Sequence, residues 1–287
     1  MLDELIIKQL KQISTNIVEG TEAVVYICDD KVLKEFKHNE KGLYNKKVFN
    51  NNSVVKNIAL LNNIKKNTNT LCDKYGVNTP RILDYYTSVV NERTISYLLM
   101  ERAKGRPVFA RKYSMLKSYS YNNDMNKLDE KSFLTEYYKN TIKILYEAPQ
   151  IHFDKFAKDC LIIEKDSKAQ LDIWGENILY NSENGFSNID IRIDCVKKEK
   201  LTELKLANRV CKACLDYIGF LNEELDKNSL QKGYEILKTQ LCSVLLKSVK
   251  ALKKIGIKKS NIKEYCNYDR ISNLHFYKPK QIKSKKL

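Results

Sequence analysis

The spacing of apolar residues changes twice along this chain, and the changes predict its elements. From 13 to 37, "ISTNIVEGTEAVVYICDDKVLKEFK" is rich in branched and aromatic residues and reads as strands. "AVVYI" and "KVLKEF" flank Asp29-Asp30, a pair suited to a tight turn. Residues 53 to 75 shift to helical spacing, with Val54, Ile58, Leu61 and Ile64 predicted on one face. "NTPRILDYY" and "TISYLLMER" return to strand, separated by a turn near Asn91. After "ERAKGRP" amphipathic helices take over. One covers 130 to 148, with Phe133, Tyr137, Ile142 and Leu145 at helical intervals, and another covers 201 to 224. A third covers 230 to 254, where Ile236, Leu237, Leu241, Val244, Leu245, Val249 and Leu252 share a face. The polar stretch 111 to 127 predicts a flexible loop.

The pattern predicts an α+β fold with two lobes. Residues 1–101 form a small antiparallel-sheet N-lobe with one helix, 102–277 a larger, mainly helical C-lobe, and 278–287 a basic tail. A chain of 287 residues can bury a core on this scale, and clefts between lobes are where ligands tend to bind. No run of 18 apolar residues occurs, and acids and lysines interrupt the leucines of "MLDELIIKQLKQI". Neither a transmembrane segment nor a cleavable secretory signal is therefore expected.

Eight cysteines are scattered through a chain too large to need disulfide staples, which points to a reducing compartment. Cys211 and Cys214 are the one close pair, but no second pair accompanies them. Leu204, Ala207, Leu215 and Ile218 continue their helical spacing, so both read as core residues rather than metal ligands. The formal charge is +16, and residues 245 to 287 hold thirteen Lys or Arg against Glu264 and Asp269. Such an end suits an acidic protein, an anionic membrane surface or nucleic acid, or is simply a solvated lysine-rich face.

The candidate chemistry lies in "LDIWGENILYNSENGFSNIDI", residues 171 to 191. With "SENG" as the turn between "NILYN" and "GFSNIDI", antiparallel pairing brings Asn177 to Asp190 and leaves Asp172 on the loop just before. Two carboxylates and an amide oxygen are hard ligands suited to magnesium.

That stretch resembles the catalytic loop and metal-binding strand of the protein kinase-like superfamily, which places an Asp five residues before an Asn and a second Asp about thirteen beyond. The resemblance implies that Asp172 orients the accepting hydroxyl and takes its proton, that Asn177 binds Mg2+, and that Asp190 bridges Mg2+ to the phosphates of ATP. Further segments follow in the family's order. In "VEGTEAVVY" Gly20 matches the middle glycine of the phosphate-covering loop, with Val18 and Ala23 in place of the outer ones, and Val25 would roof the adenine. Lys34 matches the lysine that grips the α- and β-phosphates. "YLLMERAKGRPV" resembles the linker, with Met100 as gatekeeper and Glu101 to Ala103 offering backbone groups to adenine.

The chain also departs from the pattern. Asn57 stands where the family's helix glutamate belongs, and Gln170-Leu171 replaces the His-Arg before the catalytic Asp. "IRIDCVKKEK" carries neither the glycine after Asp190 nor an Ala-Pro-Glu element. These departures look more like the minimal kinases that bacterial pathogens inject into host cells, or like aminoglycoside-type phosphotransferases. The implied activity is MgATP-dependent transfer to a protein Ser/Thr hydroxyl. The alternatives are a small-molecule kinase, a pseudokinase and a nucleotidyl transferase. The implied partner is a protein substrate, acidic in character given the basic C-terminal region. The implied location is the cytoplasm, or a host cell reached through non-classical secretion.

Overall fold

The computed structural model describes residues 1–19, 23–36, 53–91, 93–108, 130–165, 169–171, 177–189, 191–193, 202, 203, 206, 207, 210, 211 and 231–258. The chain divides into two compact units, Met1–Tyr121 with Leu161–Lys200, and Asn122–Cys160 with Leu201–Leu287.

In the first unit, helix α1 (Glu4–Ile13) is followed by strands β1 (Asn16–Glu19), β2 (Ala23–Ile27) and β3 (Lys31–Phe36). Helix α2 (Val54–Tyr75) leads to β4 (Ile82–Val90) and β5 (Arg93–Glu101). These strands form a five-stranded sheet in the order β1-β2-β3-β5-β4, with every neighbouring pair antiparallel. Asp29-Asp30 makes the β2–β3 turn, closed by the Cys28 amide donating to the Lys31 carbonyl at 2.9 Å. Asn91 turns β4 into β5 with φ +49°, a conformation that asparagine tolerates better than most residues. Further on lie the short strands β6 (Arg106–Pro107), β7 (Ala169–Leu171), β8 (Ile178–Asn181), β9 (Gly185–Asn188) and β10 (Ile191–Ile193). They assemble as a three-stranded sheet β6-β8-β9 and a two-stranded ladder β10-β7.

Strand alternation gives the large sheet two buried faces. Leu33, Tyr97 and Cys28 pack with Leu2, Ile7 and Leu10 under α1, whereas Leu98, Met100 and Ile82 pack with Leu61 of α2. Helix α2 begins at Ser53, whose hydroxyl accepts from the Lys56 amide at 3.3 Å, and ends at Gly76 in the left-handed conformation. Its buried positions are Asn57, Leu61, Thr68 and Leu71. Ile58, expected to share the face of Leu61, is 41% exposed. The sheet selects the stripe through Asn57 because that rotation centres Leu61 on Leu98 and Met100. Leu61→Ala is accordingly expected to cost about 2–5 kcal/mol in urea unfolding. Ile58→Ala should cost less than about 1 kcal/mol. The reverse order would put the buried stripe on the other side of the helix.

The second unit contains α3 (Glu130–Glu147), α4 (Gln150–Lys165, assigned to this unit as far as Cys160) and α5 (Gln231–Lys254). Tyr138, Ile142 and Leu145 are buried on α3, which packs on α5, and Leu241, Val244, Leu245 and Leu252 are buried on α5. Ile236, expected on that apolar face, is exposed. Lys247 caps α3 by donating to the carbonyls of Tyr146 at 2.5 Å and Ala148 at 2.6 Å. Burial, followed by the charge of Lys250, holds its ammonium below the ordinary lysine pKa. Ala207 and Cys211 are buried, and Leu204 and Cys214 lie outside the described residues. Among the described residues the five cysteines form no disulfide, and no helix is long and apolar enough to cross a membrane.

Candidate active site

The predicted hairpin forms with the predicted turn. Leu179 faces Ser187 and Asn181 faces Gly185 across β8–β9. The Asn181 side chain accepts from the amides of Glu183 at 2.8 Å and Asn184 at 3.2 Å, and Gly185 leaves the turn with φ +75°. Tyr180 and Phe186 meet edge to face, with ring centroids 4.9 Å apart. Burial raises the pKa of the Tyr180 phenol.

The ladder runs one step beyond the strands: the Ile189 amide donates to the Asn177 carbonyl at 2.8 Å. On the other side of position 190, Ile191 pairs with Leu171. Asp172 and Asp190 lie outside the described residues. Their described neighbours nevertheless converge, because the residue before Asp190 is bonded to Asn177 and the residue after it is paired with the residue before Asp172. Asn177 is half-buried. Among the described residues no cluster of His, Cys, Asp and Glu able to hold a metal assembles.

Lys34 sits on β3, directly opposite Val25 on β2 and Leu98 on β5. Val32 and Phe36, two residues to either side, pack with the cluster under α2, so alternation turns Lys34 to that same face. On that side α2 presents Asn57, 1% exposed and one turn before Leu61. Glu35 faces the other way, in an ion pair with Lys11 of α1. The Lys11 ammonium also lies 5.1 Å from the Tyr26 ring centroid and 5.2 Å from that of Tyr97. Burial works against its charge, but Glu35 outweighs burial and keeps its pKa above the ordinary lysine value. The acid next to Lys34 in sequence is thus committed to the opposite face of the sheet. Gly20 lies outside the described residues.

Met100 is buried between Val32 and Ile82. Beyond it the backbone is tied at two successive amides, Glu101 donating to the Arg81 carbonyl and Arg102 to the Asp30 carbonyl, both at 2.9 Å. The Arg102 guanidinium reaches the Cys28 carbonyl at 3.1 Å. Ala103, next along the chain, is half-buried. Gly105 then turns the chain with φ +118°, and Arg106 pairs with Tyr180 and Pro107 with Leu179. The linker is therefore zipped to the hairpin strand that follows Asn177.

Sequence reasoning missed Asn78 and Thr79, taking "NTPRILDYY" as strand from its first residue; β4 begins at Ile82. Asn78 donates to the carbonyls of Asn184 at 3.1 Å and Phe186 at 2.7 Å, and Thr79 donates to the Asn188 carbonyl at 2.6 Å. Asn-Thr-Pro is turn chemistry, and that was the available signal. Asn188 is 2% exposed, and its side-chain amide has no partner among the described residues.

In element order the described chain is kinase-like: an antiparallel sheet with one helix between its third and fourth strands, a linker from the fifth, and a hairpin after further helices. No family model matches the sequence, and no curated protein does. Among solved structures, WbdD is similar at 12% identity and a TM-score of 0.38, over 89% of this chain and 50% of that one. A co-crystal of WbdD with the kinase inhibitor LY294002 gives 13% and 0.37, over 91% and 49%. The Neurospora crassa PAN2 complex with PAN3 (pseudokinase and C-term) gives 12% and 0.34, over 85% and 56%. The chain spans about half the length of these chains. Likenesses this remote carry no part of the argument.

Proposed function

We propose that this chain is an MgATP-dependent phosphotransferase that moves the γ-phosphoryl group of ATP to a protein Ser/Thr hydroxyl. The observation that carries the reading is the double ladder around position 190, where Ile189 is bonded to Asn177 and Ile191 is paired with Leu171. That pairing brings together the described neighbours of Asp172 and Asp190, and two carboxylates with the Asn177 amide make a donor set of hard oxygens that fits magnesium. Asn177 and Asp190 would hold the ion, and when bound it supplies charge neutralisation at the phosphates. Asp172 orients the acceptor hydroxyl and takes its proton. Lys34 meets the α- and β-phosphates, Gly20 lets main-chain amides approach them, and Val25 covers the adenine. Met100 closes the back of that pocket, while Glu101 and Ala103 offer main-chain groups to the base. Catalysis of this kind is mostly positioning and electrostatics. An acidic protein is the favoured substrate, because the C-terminal region is strongly basic.

One observation favours a second reading. Asn57 is buried on the face of α2 turned toward the side of the sheet that bears Lys34, and Asn cannot form the ion pair that orients such a lysine. A pseudokinase that binds nucleotide without transfer would tolerate this. Incubating the purified protein with γ-labelled or α-labelled ATP separates the readings. Label on protein from the γ position is expected. Label only from the α position would indicate nucleotidyl transfer, and bound nucleotide with no label on protein would support the pseudokinase.

A further inference from the structure

We propose that Asn78 and Thr79 are positioning residues for the magnesium-binding strand. This rests on the reading of Asn177 and Asp190 as the ligands of that ion. Strand β9 is the edge of its sheet. Because the Ile189 amide bonds to Asn177, the alternation of an antiparallel ladder turns the main-chain groups of Phe186 and Asn188 to the outer edge. Buried edge groups need partners, and among the described residues no further strand supplies them. The loop leaving α2 does. Asn78 donates to the Phe186 carbonyl at 2.7 Å, its own carbonyl accepts from the Asn188 amide at 3.0 Å, and the Thr79 hydroxyl donates to the Asn188 carbonyl at 2.6 Å.

The loop is in turn fixed to α2. The Gly76 amide donates to the Cys72 carbonyl and the Val77 amide to the Leu71 carbonyl, both at 3.0 Å. Helix α2 also packs against β10, the strand that follows Asp190. The strands on both sides of Asp190 are therefore referenced to one helix, on the near side through the hydroxyl of Thr79 two residues away. Losing that hydroxyl frees the last carbonyl of β9 and loosens the ligand, not the nucleotide pocket. The expected signature is a loss of magnesium affinity without a loss of metal-free nucleotide affinity.

Binding of a fluorescent ATP analogue is titrated with Mg2+ in the wild type, Thr79→Val and Thr79→Ser. Thr79→Val keeps the shape and removes the donor. It should raise the half-saturating Mg2+ concentration by up to roughly 10-fold, the low end of the cost of losing a group bonded to a metal ligand itself, because Thr79 acts through Asn188, two residues from Asp190. Thr79→Ser, which retains the hydroxyl, should stay near the wild type, and metal-free binding should be equal in all three. An unchanged Mg2+ requirement in Thr79→Val, or equal weakening with and without metal, overturns the proposal. A wild type whose nucleotide binding ignores Mg2+ overturns the functional reading beneath it. Hydrogen exchange on the wild type gives a check that needs no variant. Adding Mg2+ to the ATP complex should slow exchange at 77–79 and 185–189 together, and slowing at the hairpin alone counts against the clamp.

Discussion

Asp190→Ala is expected to lower γ-phosphoryl transfer at least about 100-fold, the scale on which removing one preorganised electrostatic stabiliser acts. The fold should survive, because what holds this part of the chain is main-chain bonding on either side: Ile189 to Asn177, Ile191 to Leu171, and the Asn188 carbonyl under Thr79. None of these needs the carboxylate. Single-turnover transfer from γ-labelled ATP, read beside a thermal unfolding curve, checks both halves. Transfer in the variant within tenfold of the wild type would remove Asp190 from the metal site. Asp194 would then be the carboxylate to test, since it lies four residues further along the same segment. Loss of transfer with a collapsed unfolding transition would instead point to a structural carboxylate.

The hairpin was legible in the sequence because its determinants are local. An Asn whose side chain caps the turn amides and a glycine able to take positive φ sit between two short apolar runs. The bounds of α2 were legible for the same reason, with Ser53 at one end and Gly76 at the other. Its buried face was legible in part: Leu61 and Ile64 lie on it as expected, but Ile58 and Asn57 are adjacent and apolarity alone favours Ile58, whereas the sheet beneath rewards the rotation that centres Leu61. Helix α4 was missed although Phe153, Phe156, Ala157, Cys160 and Ile163 repeat at helical intervals and are buried. Lys155, Lys158 and Asp159 break up their run. Asp159 is itself buried, with Lys155 donating to it at 2.6 Å. Pairing of β7 with β10 and the reach of Thr79 to Asn188 join residues far apart in sequence through only one to three positions. No periodicity can encode contacts that short and that distant.

Gly105 marks where the linker meets the site, and Gly105→Ala is expected to be among the most destabilising single changes in the first unit. Its φ of +118° alone costs a non-glycine residue about 1–3 kcal/mol. Close approach adds to that. A Cβ would press against the Tyr180 carbonyl oxygen, 2.7 Å from the carbonyl carbon and 3.2 Å from the Asn181 nitrogen, all backbone atoms that cannot swing aside. Relief requires β6 to move off β8, which breaks the Arg106–Tyr180 and Pro107–Leu179 pairing and the bond from the Val108 amide to the Ile178 carbonyl. Ile178 adjoins Asn177, so the disturbance reaches the proposed metal ligand through one peptide. Gly76→Ala is the control: its φ of +63° is also left-handed, but a Cβ there meets nothing within 4 Å, so only about 1–2 kcal/mol of backbone cost is expected. In urea unfolding Gly105→Ala should lose clearly more than Gly76→Ala. It should also weaken MgATP binding at temperatures where both variants remain folded. Equal losses would mean that the linker does not lie against the hairpin, and the route from Met100 to Asn177 would have to be drawn differently.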